Sequence, residues 1–77
     1  MISVEIQVLD GLGQVDARAD RFSGVQVDSR RVVTGDLFVA VGDGAAFLED
    51  AIRHGAAATL LPDDAFAALA HIAGAPG

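Results

Sequence analysis

Cysteine, tryptophan, tyrosine and lysine are all missing from this 77-residue chain, and proline occurs only twice. Without cysteine there can be no disulfide and no thiolate metal site, which fits a reducing compartment. The aromatics are limited to four Phe. The core must therefore be built largely from small side chains, each worth roughly 1.5–3 kcal/mol at most when fully buried. No apolar run approaches the roughly 20 residues that a membrane span requires. The opening MISVEIQVLD has neither the basic start nor the apolar stretch of a signal peptide. The chain reads as soluble and cytoplasmic, with no membrane insertion. A net charge of −6 and the lack of lysine argue against nucleic acid as a partner, because a phosphate backbone demands clustered cations.

What is present is the composition of a folded protein: 52% apolar and 21% charged residues, with no long polar tract. The length allows one small domain over residues 1–77. A chain of this size buries only about 60% of its unfolded surface. Four of the five arginines, Arg18, Arg21, Arg30 and Arg31, fall within residues 18–31. Asp16, Asp20 and Asp28 sit among them, so the segment suits a mixed solvated surface. It equally suits one or two arginines facing a small anion.

Residues 2–8 alternate as a short strand would, yet they could also open a helix running to Leu12. Gly11 and Gly13 break that segment, and residues 14–23 read as a polar connection with at most a short extended piece. Gly24 leads into Val-Gln-Val, a short strand ending at Asp28. Thr34-Gly35-Asp36 has turn chemistry. Leu37 to Val41 is a continuous apolar run bounded by Gly and Asp, the pattern of a central strand buried on both faces. Gly42-Asp43-Gly44 ends it.

A helix follows, with Phe47, Leu48, Ala51 and Ile52 on one face and Glu49, Asp50, Arg53 and His54 on the other. Gly55 terminates it. Residues 56–61 form a second buried strand stopped by Pro62, and Asp63 or Asp64 caps a second helix. In that helix Phe66, Leu69, Ala70 and Ala73 make the apolar stripe, ended by Gly74 and Pro76. The ending AGAPG would serve as the start of a linker. The order strand, helix, strand, helix from residue 37 predicts a right-handed βαβ unit. The fold class is α/β: a small single-domain mixed sheet with two flanking helices.

Candidate chemistry gathers at two turns that each follow a strand. Ligands of open α/β sheets collect beyond the carboxyl ends of the strands. At the Asp28-Ser29-Arg30 corner, Ser29 offers a hydroxyl and Arg30 a forked guanidinium. The Gly42-Asp43-Gly44 loop exposes backbone N–H groups at a helix start, which suits phosphate. Both segments also have an ordinary structural reading, as an Asp turn and as a connection in which Asp43 is the N-cap. There is no G-x-x-x-x-G-K-[ST] loop for ATP. His54 and His71 lie on separate helices without metal-ligand spacing. No catalytic residue and no metal ligand is predicted.

The run GVQVDSRRVVTGDLFVAV, then a short helix and HGAAATLLP, resembles the N-terminal domain of the Mur ligases, which extend the peptidoglycan stem peptide. The likeness covers about residues 24–61. The opening MISVEIQVL further resembles the member that adds D-alanyl-D-alanine, and the relative adding the third stem residue stays open. The resemblance implies a domain that holds the uridine diphosphate end of a UDP-N-acetylmuramoyl-peptide and does no catalysis alone. ATP and Mg2+ are then expected in a missing central domain, and the parent's own ATP-binding and C-terminal domains are the implied partners.

The same resemblance puts Val27 and Ser29 at nucleotide-contacting positions, with Arg30 beside them. It puts Gly42, Gly44 and Ala45 in the loop where backbone approaches the nucleotide. That loop is shorter here than the family's Gly-x-x-x-Asp-Gly-His-Asp-Phe segment. The shortening favours a rival reading, a non-catalytic interaction module that keeps the fold without the nucleotide.

Overall fold

Leu37, Phe38 and Val39 are flanked by strands on both sides and are fully buried, as a continuous apolar run requires. The computed structural model describes residues 3–74. Six strands are present among these residues: β1 (Val4–Glu5), β2 (Gly13–Ala17), β3 (Arg21–Phe22), β4 (Val25–Gln26), β5 (Leu37–Val39) and β6 (Ala58–Pro62). Two helices accompany them, α1 (Leu48–Arg53) and α2 (Ala65–Ala73). The main sheet has the order β2-β6-β5-β4. Its β4–β5 and β5–β6 pairings are parallel and its β2–β6 pairing is antiparallel, so the sheet is mixed. A separate antiparallel pair joins β1 to β3.

Side-chain alternation along β5 divides the core in two. Leu37 and Val39 join Leu9, Phe22, Leu60, Ala68 and Ile72 on one side, under α2 and the turn at Ile6–Leu9. Phe38 and Ala40 join Val32, Ala51 and Ala56 on the other, under α1. The mixed sheet thus carries one helix on each face, as the α/β reading required. The β5–α1–β6 crossover joins two parallel neighbours. Among the described residues, no helix is long and apolar enough to cross a membrane.

Helix α1 ends as its sequence dictates. Gly55 takes φ +97 and donates to the Ile52 carbonyl at 3.0 Å, a conformation that a side chain would strain. At the start of α2, Asp64 rather than Asp63 is the cap, its Oδ1 accepting from the Ala67 amide at 3.1 Å.

Several expectations are corrected. Residues 14–23 are no mere polar connection: Gly13–Ala17 is the five-residue edge strand β2, and Arg21–Phe22 pairs with β1. Phe22 is buried in the core. Residues 2–8 take the strand alternative only at Val4–Glu5, and a short 3₁₀ turn at Ile6–Leu9 stands in place of a helix to Leu12; residue 2 itself lies outside the described residues. The stripe of α2 is rotated. Ala68 and Ile72 are buried, whereas Phe66 is 85% exposed and Ala70 and Ala73 face solvent. The frame Ala65, Ala68, Leu69, Ile72 is the i, i+3, i+4, i+7 set that meets the sheet.

Nor does Phe47 join the apolar face of α1, because the chain from Gly42 to Phe47 is wound as a 3₁₀ turn before α1 begins at Leu48. Asp43 lies inside that turn and caps nothing. Pro62 closes β6 as its last residue, opposite Gly13. Pro76 and the rest of residues 75–77 lie outside the described residues.

Candidate functional site

Strands β4 and β5 run parallel, so the segments that leave their carboxyl ends emerge side by side. Between those segments lies an open groove of about 670 Å³. One wall is the corner Val27 to Arg30. The other is the Gly42–Phe47 turn with Asp50 of α1, and the buried Phe38 contributes from β5. Its position at the strand ends is where an α/β sheet collects ligands.

The corner is built around one carboxylate. Asp28 is the N-cap of a 3₁₀ turn at Ser29–Arg31, its Oδ1 accepting from the Arg30 amide at 3.0 Å. The same Oδ1 accepts from Arg30 Nε at 3.1 Å, and Oδ2 accepts from Arg30 Nη2 at 3.0 Å. This fork-to-fork pairing holds the Asp28 carboxyl below the usual aspartate range, helped by the Arg30 amide. The side-chain hydrogen bond to Asp28 raises Arg30 in turn.

Ser29 is buried, yet it lines the groove. No hydrogen bond between described side chains employs its hydroxyl, and no fully buried side-chain oxygen among the described residues lacks a partner. The hydroxyl therefore keeps some exposure to solvent. Val27 is 47% exposed and Phe47 50% exposed, so both offer apolar surface to the groove.

The structure brings Val27, Ser29, Arg30 and Gly44 together along this groove. Gly42 and Ala45 are not among its lining residues. Gly42 instead makes the turn out of β5, with φ +55. Gly44 is buried, and a Cβ added there would meet Ala40 Cβ at 3.5 Å and Phe38 Cζ at 3.6 Å, ordinary contacts. Protein packing alone does not demand glycine at that position.

Sequence reasoning missed Phe47 and Asp50 as lining residues. The signal available was their spacing of three, which puts them on one side of the turn that leads into α1. Three carboxylates, Asp28, Asp43 and Asp50, share the groove with the single cation Arg30. Asp50 is also approached by His54, whose Nδ1 lies 2.7 Å from the Asp50 carbonyl oxygen and 3.7 Å from Oδ1. Among the described residues, no group of three or more His, Asp or Glu is arranged to hold a metal ion.

No family model matches the chain. It is 47% identical over 49 residues, 58% of its length, to the UDP-N-acetylmuramoyl-L-alanyl-D-glutamate--2,6-diaminopimelate ligase of Rhizobium meliloti (strain 1021). It is 45% identical over 58 residues, 69% of its length, to the UDP-N-acetylmuramoyl-tripeptide--D-alanyl-D-alanine ligase of Treponema pallidum (strain Nichols). The matched stretches are short, covering 10% and 13% of those two proteins, so the chain spans about a tenth of the relatives it matches. Both are ligases of peptidoglycan precursors, and the two similarities support the Mur ligase family for this chain.

Proposed function

We propose that this chain is the N-terminal substrate-binding domain of a Mur ligase and holds the uridine diphosphate end of a UDP-N-acetylmuramoyl-peptide in the cytoplasm. The observation that carries this reading is the convergence of Val27, Ser29, Arg30 and Gly44 on one groove at the ends of parallel strands. Each wall offers chemistry that a nucleotide uses. Val27 and Phe47 supply apolar surface for a base, Ser29 a hydroxyl donor, and Arg30 a fork for phosphate oxygens.

The chain's own residues bind and orient in this proposal; they do not activate a carboxylate. Peptide-bond formation driven by ATP belongs to the remainder of a parent enzyme. The same reading assigns ATP and Mg2+ to that remainder, in keeping with the lack of a P-loop motif in this sequence. The reaction assigned to the parent is addition of D-alanyl-D-alanine, with addition of the third stem residue as the alternative. One relative of each kind is similar to the chain.

A second reading, a docking module that has kept the fold without the nucleotide, is favoured by one observation. Three carboxylates in the groove oppose any diphosphate, against one arginine.

An NMR titration of the 77-residue chain with UDP-N-acetylmuramoyl-tripeptide, and with UDP alone, tests the proposal. Saturable shifts are expected along Val27 to Arg30 and at Gly44, with UDP reproducing most of them. Ser29→Ala should weaken binding by about 0.5–1.5 kcal/mol through loss of one hydrogen bond. An affinity unchanged by that substitution would remove Ser29 from the site. A folded chain that gives no shifts with either ligand would favour the docking module.

A further inference from the structure

We infer that Asp28 is a positioning residue, holding the Arg30 guanidinium by one edge so that its other edge is presented to the diphosphate of a bound nucleotide. The inference rests on the nucleotide-binding reading above and adds a residue and a role to it.

The geometry is specific. An exposed arginine ordinarily keeps most of its rotamer freedom, and ordering it on binding costs affinity. Arg30 is 84% exposed at its side chain, yet it is tied at two points by one carboxylate. Oδ1 of Asp28 takes the Arg30 amide at 3.0 Å and Nε at 3.1 Å, while Oδ2 takes Nη2 at 3.0 Å. Backbone and guanidinium of the same residue are thus fixed by a single partner two positions away.

A guanidinium has five N–H donors. Asp28 uses the Nε hydrogen and one on Nη2, leaving three on the Nη1–Nη2 side. Two of these are parallel and match two oxygens of a phosphate. Both residues line the groove, and Asp28 is itself the less exposed partner, at 33%.

An ordinary surface ion pair would contribute little and would face anywhere. This one differs because its acid also caps the turn that carries Ser29, so the hydroxyl and the guanidinium are set by the same anchor. The carboxylate is ionised at neutral pH, being held below its usual range by Arg30, with a weaker pull from Arg31. Its charge also opposes the ligand's, as do those of Asp43 and Asp50 across the groove.

Asp28→Asn separates the roles, because asparagine caps a turn as well as aspartate does but cannot form the charged fork. The wild-type chain, Asp28→Asn, Arg30→Gln and the double variant are titrated with uridine and with UDP by amide NMR. Asp28→Asn is expected to weaken UDP by about 3- to 10-fold and to leave uridine unchanged, since the base does not touch the fork. In the Arg30→Gln background the same change should no longer weaken UDP, and relief of the Asp28 charge should if anything tighten it.

Equal weakening of both ligands would make Asp28 merely structural and overturn the inference. So would tighter UDP binding by Asp28→Asn, or an undiminished effect in the Arg30→Gln background. If the wild type binds UDP and Asp28→Asn matches it, this inference alone fails. If the wild type binds neither ligand, the nucleotide reading fails and takes the inference with it.

Discussion

Gly24 and Asp36 share a space that admits one side chain: a Cβ on Gly24 would lie 2.6 Å from Asp36 Oδ1. Asp36 is buried and cannot swing freely, because its Oδ2 accepts from the Val33 amide at 3.1 Å. The Gly24 carbonyl meanwhile receives the Leu37 amide at 2.8 Å, which fixes the glycine from the other side. Gly24→Ala should therefore destabilise the fold by about 1–3 kcal/mol through overpacking. Urea denaturation measures it. An unchanged midpoint would mean that the Asp36 carboxylate moves aside at no cost.

The Asp28–Arg30 pair predicts a pH effect of definite sign. Side-chain hydrogen bonds from Arg30, then the Arg30 amide, hold the Asp28 carboxyl below its ordinary value. An unfolded aspartate titrates near 3.9 or so, about the ordinary value, so in the transition region the unfolded chain binds more protons at this site than the folded one. The stabilisation is fully present above that pH and fades as pH falls through the lowered native value. A carbon-detected titration of Asp28 should give a midpoint below the ordinary one, and Arg30→Gln should move it up. A midpoint indifferent to that substitution would show that the pair does not form in solution.

Helix α2 gives a test of its phase. Phe66 is 85% exposed, and Ile72 only 7%. Phe66→Ser should change the unfolding free energy by less than about 0.5 kcal/mol. Ile72→Ala should cost about 2–4 kcal/mol. The opposite ranking in thermal or urea denaturation would turn the helix back to the stripe that its sequence suggests.

The cap of that helix separates two adjacent aspartates. Asp64 Oδ1 accepts the Ala67 amide, whereas Asp63 is engaged through its own amide, which donates to the Leu12 carbonyl at 2.9 Å. Asp64→Ala should lose about 1 kcal/mol of stability and Asp63→Ala very little. Equal losses at the two positions would remove the capping role.

The contrast between these elements explains what could be read in advance. Strands β5 and β6 announce themselves within the runs 37–41 and 56–61, because strands buried on both faces need nearly continuous apolar sequence, bounded here by Gly, Asp and Pro; the strands themselves are Leu37–Val39 and Ala58–Pro62. Strand β2 does not, since four of its five residues, Gln14 to Ala17, are exposed, and hydrogen bonds to β6 rather than burial define it. The phase of α2 was hidden by its alanines, which make several faces look alike; Phe66 then outweighed the smaller residues that meet the sheet.

At the groove, Asp28 to Arg30 and Gly44 were legible from their turns, and Val27 only through the family resemblance. Phe47 and Asp50 were not, because the 3₁₀ winding at Gly42–Phe47 shifts where α1 begins and so which residues turn toward the ligand side.

Strand β4 is tied to β5 by only two residue pairs, Val25 with Leu37 and Gln26 with Phe38. The wall of the groove that follows β4 is moored instead by Val32, buried with Phe38 and Ala40 against α1, while the opposite wall continues directly from the central strand. Tolerance to mutation is divided accordingly. Exposed groove positions such as Val27 and Arg30 can be altered with little penalty to foldedness. Changes under the other wall, at Phe38 or Ala40, strike the core at once. Sequence change has its freest ground at the exposed positions of the first of these two walls.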